Sequence, residues 1–155
     1  MIRYATEKDI DTIFLFICEL ARYEKLLDDV TATPDVLFKS LFEKKRAEVL
    51  IAEEGGVPVG FALFFHNFST FKGRACLYLE DIFVLPEFRG KAYGKQLFSE
   101  LAKIAVTREC DRFDWAVLDW NKPSISFYNS LGAVAMDDWT VYRLAGESLR
   151  KVAKL

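Results

Sequence analysis

The chain has 155 residues, 52% hydrophobic and 28% charged, a composition that excludes disorder, collagen-like repeats and a disulfide scaffold, and a length that suits one domain spanning 1–155. Lys and Arg total 21 against 23 Asp and Glu, a net charge of -2, so the basic footprint of a general nucleic-acid binder is missing. Cys18, Cys76 and Cys110 lie far apart and His66 is the only histidine, which leaves no metal-ligand set and disfavours Ser-His-Asp or Cys-His chemistry.

Residues 2–5 read as a short strand. Thr6, with Asp9 three positions on, offers a helix cap. Ile10, Ile13, Phe14, Ile17, Leu20 and Ala21 then recur at helical spacing, which predicts a helix to about Lys25 with that face buried. Thr33-Pro34 predicts a second helix start with Pro in its first turn, and the run Lys44-Lys45-Arg46 reads as its solvated end. From residue 47 the period falls to two: strands at 49–52, 57–65 and 74–85, with Glu54-Gly55-Gly56 as the first turn, form an antiparallel meander. Pro86 closes the third strand, and an amphipathic helix follows with Leu97, Phe98, Leu101, Ile104 and Ala105 inward. A strand at 113–118, a helix opened by Pro123 and stopped by Gly132, a final hairpin of 134–136 with 140–144, and a tail helix from Glu147 complete the chain. The order predicts a mixed α/β domain, a central, mostly antiparallel sheet with helices on both faces. With no apolar leader at 1–9 and no stretch long enough for a bilayer, a cytoplasmic protein without a membrane partner is expected.

The stretch 77–95 carries the chemistry. Glu80 and Asp81 interrupt a hydrophobic strand, and in a regular strand adjacent residues face opposite sides, so one of the two should meet the interior or a cleft. The loop Arg89 to Lys95 then opens a helix, where backbone N–H groups and the positive end of the helix dipole suit a phosphate. It is neither a Walker loop nor a G-x-G-x-x-G turn.

Tyr78-Leu79-Glu80-Asp81-Ile82-Phe83-Val84, then Phe88-Arg89-Gly90 to Gly94, then Trp120-Asn121-Lys122-Pro123-Ser124 with Phe127-Tyr128 and Leu131-Gly132-Ala133, resemble the GNAT N-acetyltransferase superfamily in order and along nearly the whole chain. Within it the sequence is similar to diamine and thialysine acetyltransferases. The resemblance implies acetyl-CoA as cosubstrate, a small-molecule amine as acceptor, no metal and a homodimer. It places the pantetheine arm along Ile82, Phe83 and Val84, in a slot where that strand and the one at 113–118 splay apart. The pyrophosphate rests on Arg89, Gly90, Lys91, Ala92, Tyr93, Gly94 and Lys95, and Asn121, Lys122, Pro123 and Ser124 also contact the cofactor. Tyr128 aligns with the general acid and Glu80 with the base; Tyr23, Glu24, Glu80, Asp114, Trp115 and Ala116 match acceptor contacts. Ala92 stands at the first Gly of the family signature; with a helical φ there, its methyl adds no strain. Of the aromatic residues, Phe14, Phe42, Phe61, Phe98 and Phe127 fall on apolar faces, while Tyr23, Phe83, Tyr93, Trp115 and Tyr128 map to the cleft. A protein or peptide acetyltransferase and a non-catalytic acyl-CoA sensor are the alternative functions.

Overall fold

In the computed structural model, which describes residues 1–155, the period-two stretch forms three consecutive antiparallel strands, β2 (Glu48–Glu54), β3 (Val57–Ser69) and β4 (Arg74–Val84). β1 (Ile2–Tyr4) pairs antiparallel with β2, and β5 (Phe113–Trp115) pairs parallel with β4, giving a mixed sheet in the order β1-β2-β3-β4-β5. With helices α1 (Ile10–Tyr23), α2 (Pro34–Phe38) and α3 (Tyr93–Thr107) they make up a unit of Met1–Ala116. A second unit, Val117–Leu155, holds α4 (Lys122–Ser130) and α5 (Gly146–Val152).

Alternation along the strands supplies two apolar faces. Val49, Ile51, Phe61 and Phe83 turn to one, where α1 lays Ile13 and Phe16 on them, with the Phe16 and Phe61 rings stacked at 5.7 Å. The other is covered by α3, whose Leu97, Phe98, Leu101, Ile104 and Ala105 are buried. The buried stripe of α1 differs from the predicted one: Phe16 is fully inside and Phe14 half-exposed. At 3.6 residues per turn, Phe16 lies closer than Phe14 to the line through Ile13 and Leu20. The second helix also departs from a plain α-helix, because Lys39–Glu43 winds on from α2 as a π turn.

One polar cluster ties the start of the chain to the sheet. Arg3 donates from Nη1 and Nη2 to the two Asp9 carboxylate oxygens at 2.9 and 2.8 Å, and from Nε to Glu53 Oε1 at 2.7 Å. Asp9 also accepts from the Thr6 backbone and hydroxyl, and both acids are buried. The Arg3 hydrogen bonds hold the Asp9 carboxyl well below the usual carboxylate range. Arg3→Ala strands two buried charges and should destabilise the fold by about 2 kcal/mol, less than for a fully enclosed pair because Arg3 is partly exposed. Since the Asp9 acid is depressed by folding, its contribution is complete above its unfolded pKa of about 4 and disappears as pH falls below it. Urea melts of wild type and variant should therefore differ at pH 7 and converge in strong acid.

The hairpin expected at 134–144 does not form; residues 133–145 contain no strand. Val134, Trp139, Val141 and Tyr142 are each at least 77% exposed. An isolated hairpin is marginal without a third strand or a helix to cover it, so apolar alternation alone does not make one here.

Candidate functional site

The register of β3 and β4 breaks once. Leu63 opposes Asp81, yet the next residue, Phe64, opposes Leu79, so Glu80 is an extra residue, a bulge in β4. Pairing with β5 covers Leu77, Tyr78 and Leu79 and stops where the bulge begins. The strand predicted at 113–118 is thus cut to Phe113–Trp115, and from Glu80 to Val84 β4 has β3 on one side and no strand on the other. Leu85 N–H donates to the Val59 carbonyl at 2.9 Å. In a trans peptide N–H and C=O point opposite ways, so the Val84 carbonyl faces the open edge, where Arg89 Nε donates to it at 3.1 Å. Gly60, opposite Val84, permits this packing: a Cβ there would meet the Phe83 carbonyl oxygen at 2.6 Å. The Phe83 ring itself lies in the core beside Phe16, not in the cleft, and its carbonyl points toward Gly60 on β3.

The bulge separates the two acids. Glu80 is exposed, whereas Asp81 is half-buried across from Leu63. Burial, and then the nearby Glu80 and Glu24 carboxylates, push the Asp81 acid up to about 6. Glu24, just beyond the end of α1, is raised by its own burial. Next to it in the chain, the Tyr23 ring lies 5.0 Å below the Arg89 guanidinium, which also stands 5.6 Å from the Phe83 ring. Tyr23, Glu24, Glu80 and Asp81 thus gather near the open edge, and Asp81 proves to be the perturbed acid where sequence reading singled out Glu80. Of the other predicted acceptor contacts, Asp114 accepts from Arg112 Nε at 2.6 Å, the Trp115 ring packs against Phe98 and Phe113, and Ala116 ends the first unit.

Past β4 the chain turns through Pro86–Phe88 into the predicted phosphate loop. Gly90 has φ +78° and Ala92 φ +65°. The condition under which the Ala92 methyl adds no strain is thus not met: the residue is left-handed, where a Cβ costs about 1 kcal/mol relative to Gly. Directly after it α3 begins, and Gln96 N–H donates to the Ala92 carbonyl at 2.9 Å. Earlier N–H groups at this end have no partner within the helix and point out along its dipole, a setting that fits a pyrophosphate. Two side chains of the loop are tied to the sheet: Lys91 Nζ donates to both Glu54 oxygens at 3.1 and 3.2 Å, and the Tyr93 hydroxyl to Glu54 Oε1 at 3.0 Å.

In the second unit, Asn121 is buried and caps α4, its Oδ1 accepting from Ser124 N–H at 3.4 Å, with Lys122 and Pro123 in the first turn. Tyr128 sits half-buried in the last turn, its ring centroid 5.6 Å from that of Phe127. Its carbonyl accepts from the N–H groups of Leu131 and Ala133, and Gly132, at φ +82°, ends the helix as predicted.

The Acetyltransferase (GNAT) family matches residues 6–133. The thialysine N-epsilon-acetyltransferase of Bos taurus is 38% identical over 99% of this chain and 96% of its own length. The human spermidine/spermine N(1)-acetyltransferase-like protein 1 is 32% identical over 98% of this chain, which corresponds to 23% of that longer protein. Among solved structures, an integron cassette protein from the mobile metagenome of V. cholerae superposes with a TM-score of 0.83 at 32% identity, covering 100% of this chain and 98% of the other.

Proposed function

The chain belongs to the acetyltransferase (GNAT) family and is an amine N-acetyltransferase, and from that premise we propose that it moves the acetyl group of acetyl-CoA to a primary amine of a small lysine-like or polyamine-like acceptor, thialysine first among them. The observation that carries this reading is the open edge of β4 from Glu80 to Val84, which leads from the acidic cluster to the turn before α3. Along Ile82, Phe83 and Val84 the pantetheine arm would pair with the backbone groups that face the open edge, those of Ile82 and Val84. The loop Arg89, Gly90, Lys91, Ala92, Tyr93, Gly94 and Lys95 would hold the pyrophosphate, and Asn121, Lys122, Pro123 and Ser124 would add cofactor contacts. Both units would serve one N-acetyltransferase domain spanning 1–155, a reading supported by a family match that runs through the boundary at residue 116.

An acceptor amine resembling a Lys side chain, with pKa about 10.4, is neutral in roughly one molecule in 2,500 at pH 7. The pair Glu80 and Asp81 takes its proton, directly or through water, while Glu24 adds to the negative field that draws the cation in. The freed nitrogen lone pair forms the C–N bond to the acetyl carbon as the C–S bond breaks, the thiolate leaves with that bond's electrons, and the nitrogen gives its second proton to solvent to leave the neutral amide. Tyr128 donates its hydroxyl proton to the thiolate and recovers one from solvent. Tyr23, Asp114, Trp115 and Ala116 complete the proposed acceptor contacts.

A homodimer is part of the proposal. It is supported by the exposed Val134, Trp139, Val141 and Tyr142, which a second copy would cover. No helix is long and apolar enough to cross a membrane; a cytoplasmic location without nucleic-acid, membrane or metal partners belongs to the same proposal. Release of CoA thiol should be fastest with thialysine, lysine or spermidine and slow with a peptide bearing a free α-amine. The reverse order would make the protein a peptide acetyltransferase, and acetyl-CoA binding without thiol release from any amine would make it a sensor.

A further inference from the structure

We infer that Glu54 is a positioning residue for acetyl-CoA: by holding Lys91 and Tyr93, the two neighbours of Ala92, it keeps a left-handed alanine in the pyrophosphate turn where the family signature has glycine. This rests on the proposed placement of the cofactor and goes beyond it, because Glu54 lies on a different strand and touches the loop only through side chains. Three hydrogen bonds converge on its carboxylate, two from Lys91 Nζ at 3.1 and 3.2 Å and one from the Tyr93 hydroxyl at 3.0 Å. Together they hold the Glu54 acid below the usual carboxylate range.

Position explains why so exposed a cluster matters. Lys91 and Glu54 are about half exposed, and an isolated surface pair of that kind contributes little to global stability. Here, however, the contacts flank one residue at φ +65°. An alanine relaxes readily out of the left-handed region. Such a change rotates the peptide planes on both sides of Ala92 and turns their N–H groups away from a common point. For Ala92 to leave this conformation, Lys91 and Tyr93 must reorient relative to each other, and a single carboxylate ties their side chains together. The backbone that carries it is anchored in the sheet. Glu54 is the last residue of β2, paired with Val57 across the turn formed by Gly55 and Gly56. The sheet thus supports the loop through a side chain where the loop's own sequence lacks the residue best suited to its backbone.

The test is steady-state kinetics at saturating amine, with calorimetric titration of CoA, on wild type, Glu54→Ala, Ala92→Gly and the double variant. Glu54→Ala should raise the KM for acetyl-CoA and the Kd for CoA by roughly 3- to 10-fold, with kcat within about two-fold. In the Ala92→Gly background the same replacement should change KM by less than about two-fold, since glycine holds the turn unaided. Glu54→Gln, which keeps an acceptor oxygen, should fall between. An equal KM penalty in both backgrounds would overturn the inference, as would a lower KM for Glu54→Ala, which would mean that Glu54 withholds Lys91 from the phosphates. CoA binding by wild type that Glu54→Ala leaves unchanged would overturn the role of Glu54 alone; no CoA binding by wild type would overturn the cofactor placement and this inference with it.

Discussion

Tyr128→Phe should lower turnover by about 10- to 1,000-fold, at or below the usual general-acid contribution, while leaving the affinity for acetyl-CoA nearly unchanged. The range follows from the leaving group. A thiol with a pKa near that of Cys, roughly 8.5, departs fairly well as the thiolate, so a phenol assists the departure without being indispensable. The fold should tolerate the change, because the groups of Tyr128 that close α4 are backbone: its carbonyl accepts from Leu131 and Ala133. The ring that packs against Phe127 is retained. A second measurement isolates the proton transfer. With an acetyl thioester whose thiol is more acidic, the deficit of the variant should shrink, since a better leaving group needs less protonation. Full turnover of Tyr128→Phe with acetyl-CoA would remove Tyr128 from the reaction, and a deficit independent of the thiol would make it a positioning group.

The strands and helices that place this chemistry were legible because their signals are local. Alternation marked β2, β3 and β4, and Thr33-Pro34 and Gly132 marked helix ends where the structure has them. The features that shape the site are not local. The bulge at Glu80 exists only as a mismatch between two strands, and no pattern within 77–85 distinguishes it from regular alternation; sequence parity therefore could not say which acid faces inward. The end of β5 at Trp115 depends on where its neighbour turns away. Glu54 is separated from Lys91 by 37 residues and became visible only once β2 and the loop were in place. The conformation of Ala92 was open to local reasoning, since a family position held by glycine signals a left-handed backbone. The failed hairpin at 134–144 teaches a related lesson, since alternation identifies a surface that can be buried without identifying what buries it.

Asp81→Asn should make the protein more stable and less active at once. Burial and the Glu80 and Glu24 carboxylates raise the Asp81 acid from 3.8 to about 6. Its register partner on β3 is the apolar Leu63. A folded pKa above the unfolded one means that the fold prefers the protonated acid: the stabilising contribution is complete below pH 3.8 and is lost as pH rises through about 6. At neutral pH the ionised group therefore costs up to about 3 kcal/mol, at 1.4 kcal/mol per tenfold, with residual solvent access lowering the figure. Asparagine, neutral at every pH, should remove most of that cost, so the variant should melt higher than wild type at pH 7.5 and show no advantage at pH 4. Activity should move the other way. In wild type, kcat/KM should rise with pH through about 6 as the Asp81 carboxyl ionises. In Asp81→Asn the rate at pH 7.5 should fall roughly 10- to 100-fold, within the reach of general-base assistance, and the limb near 6 should disappear. A variant that gains stability yet keeps the wild-type pH profile would assign proton removal to Glu80 alone. One that loses both stability and activity would show that the carboxylate is tied into the fold. A gain in stability coupled to loss of the acid limb would mean that the bulge in β4 keeps an unfavourable charge in place because the acceptor amine requires it.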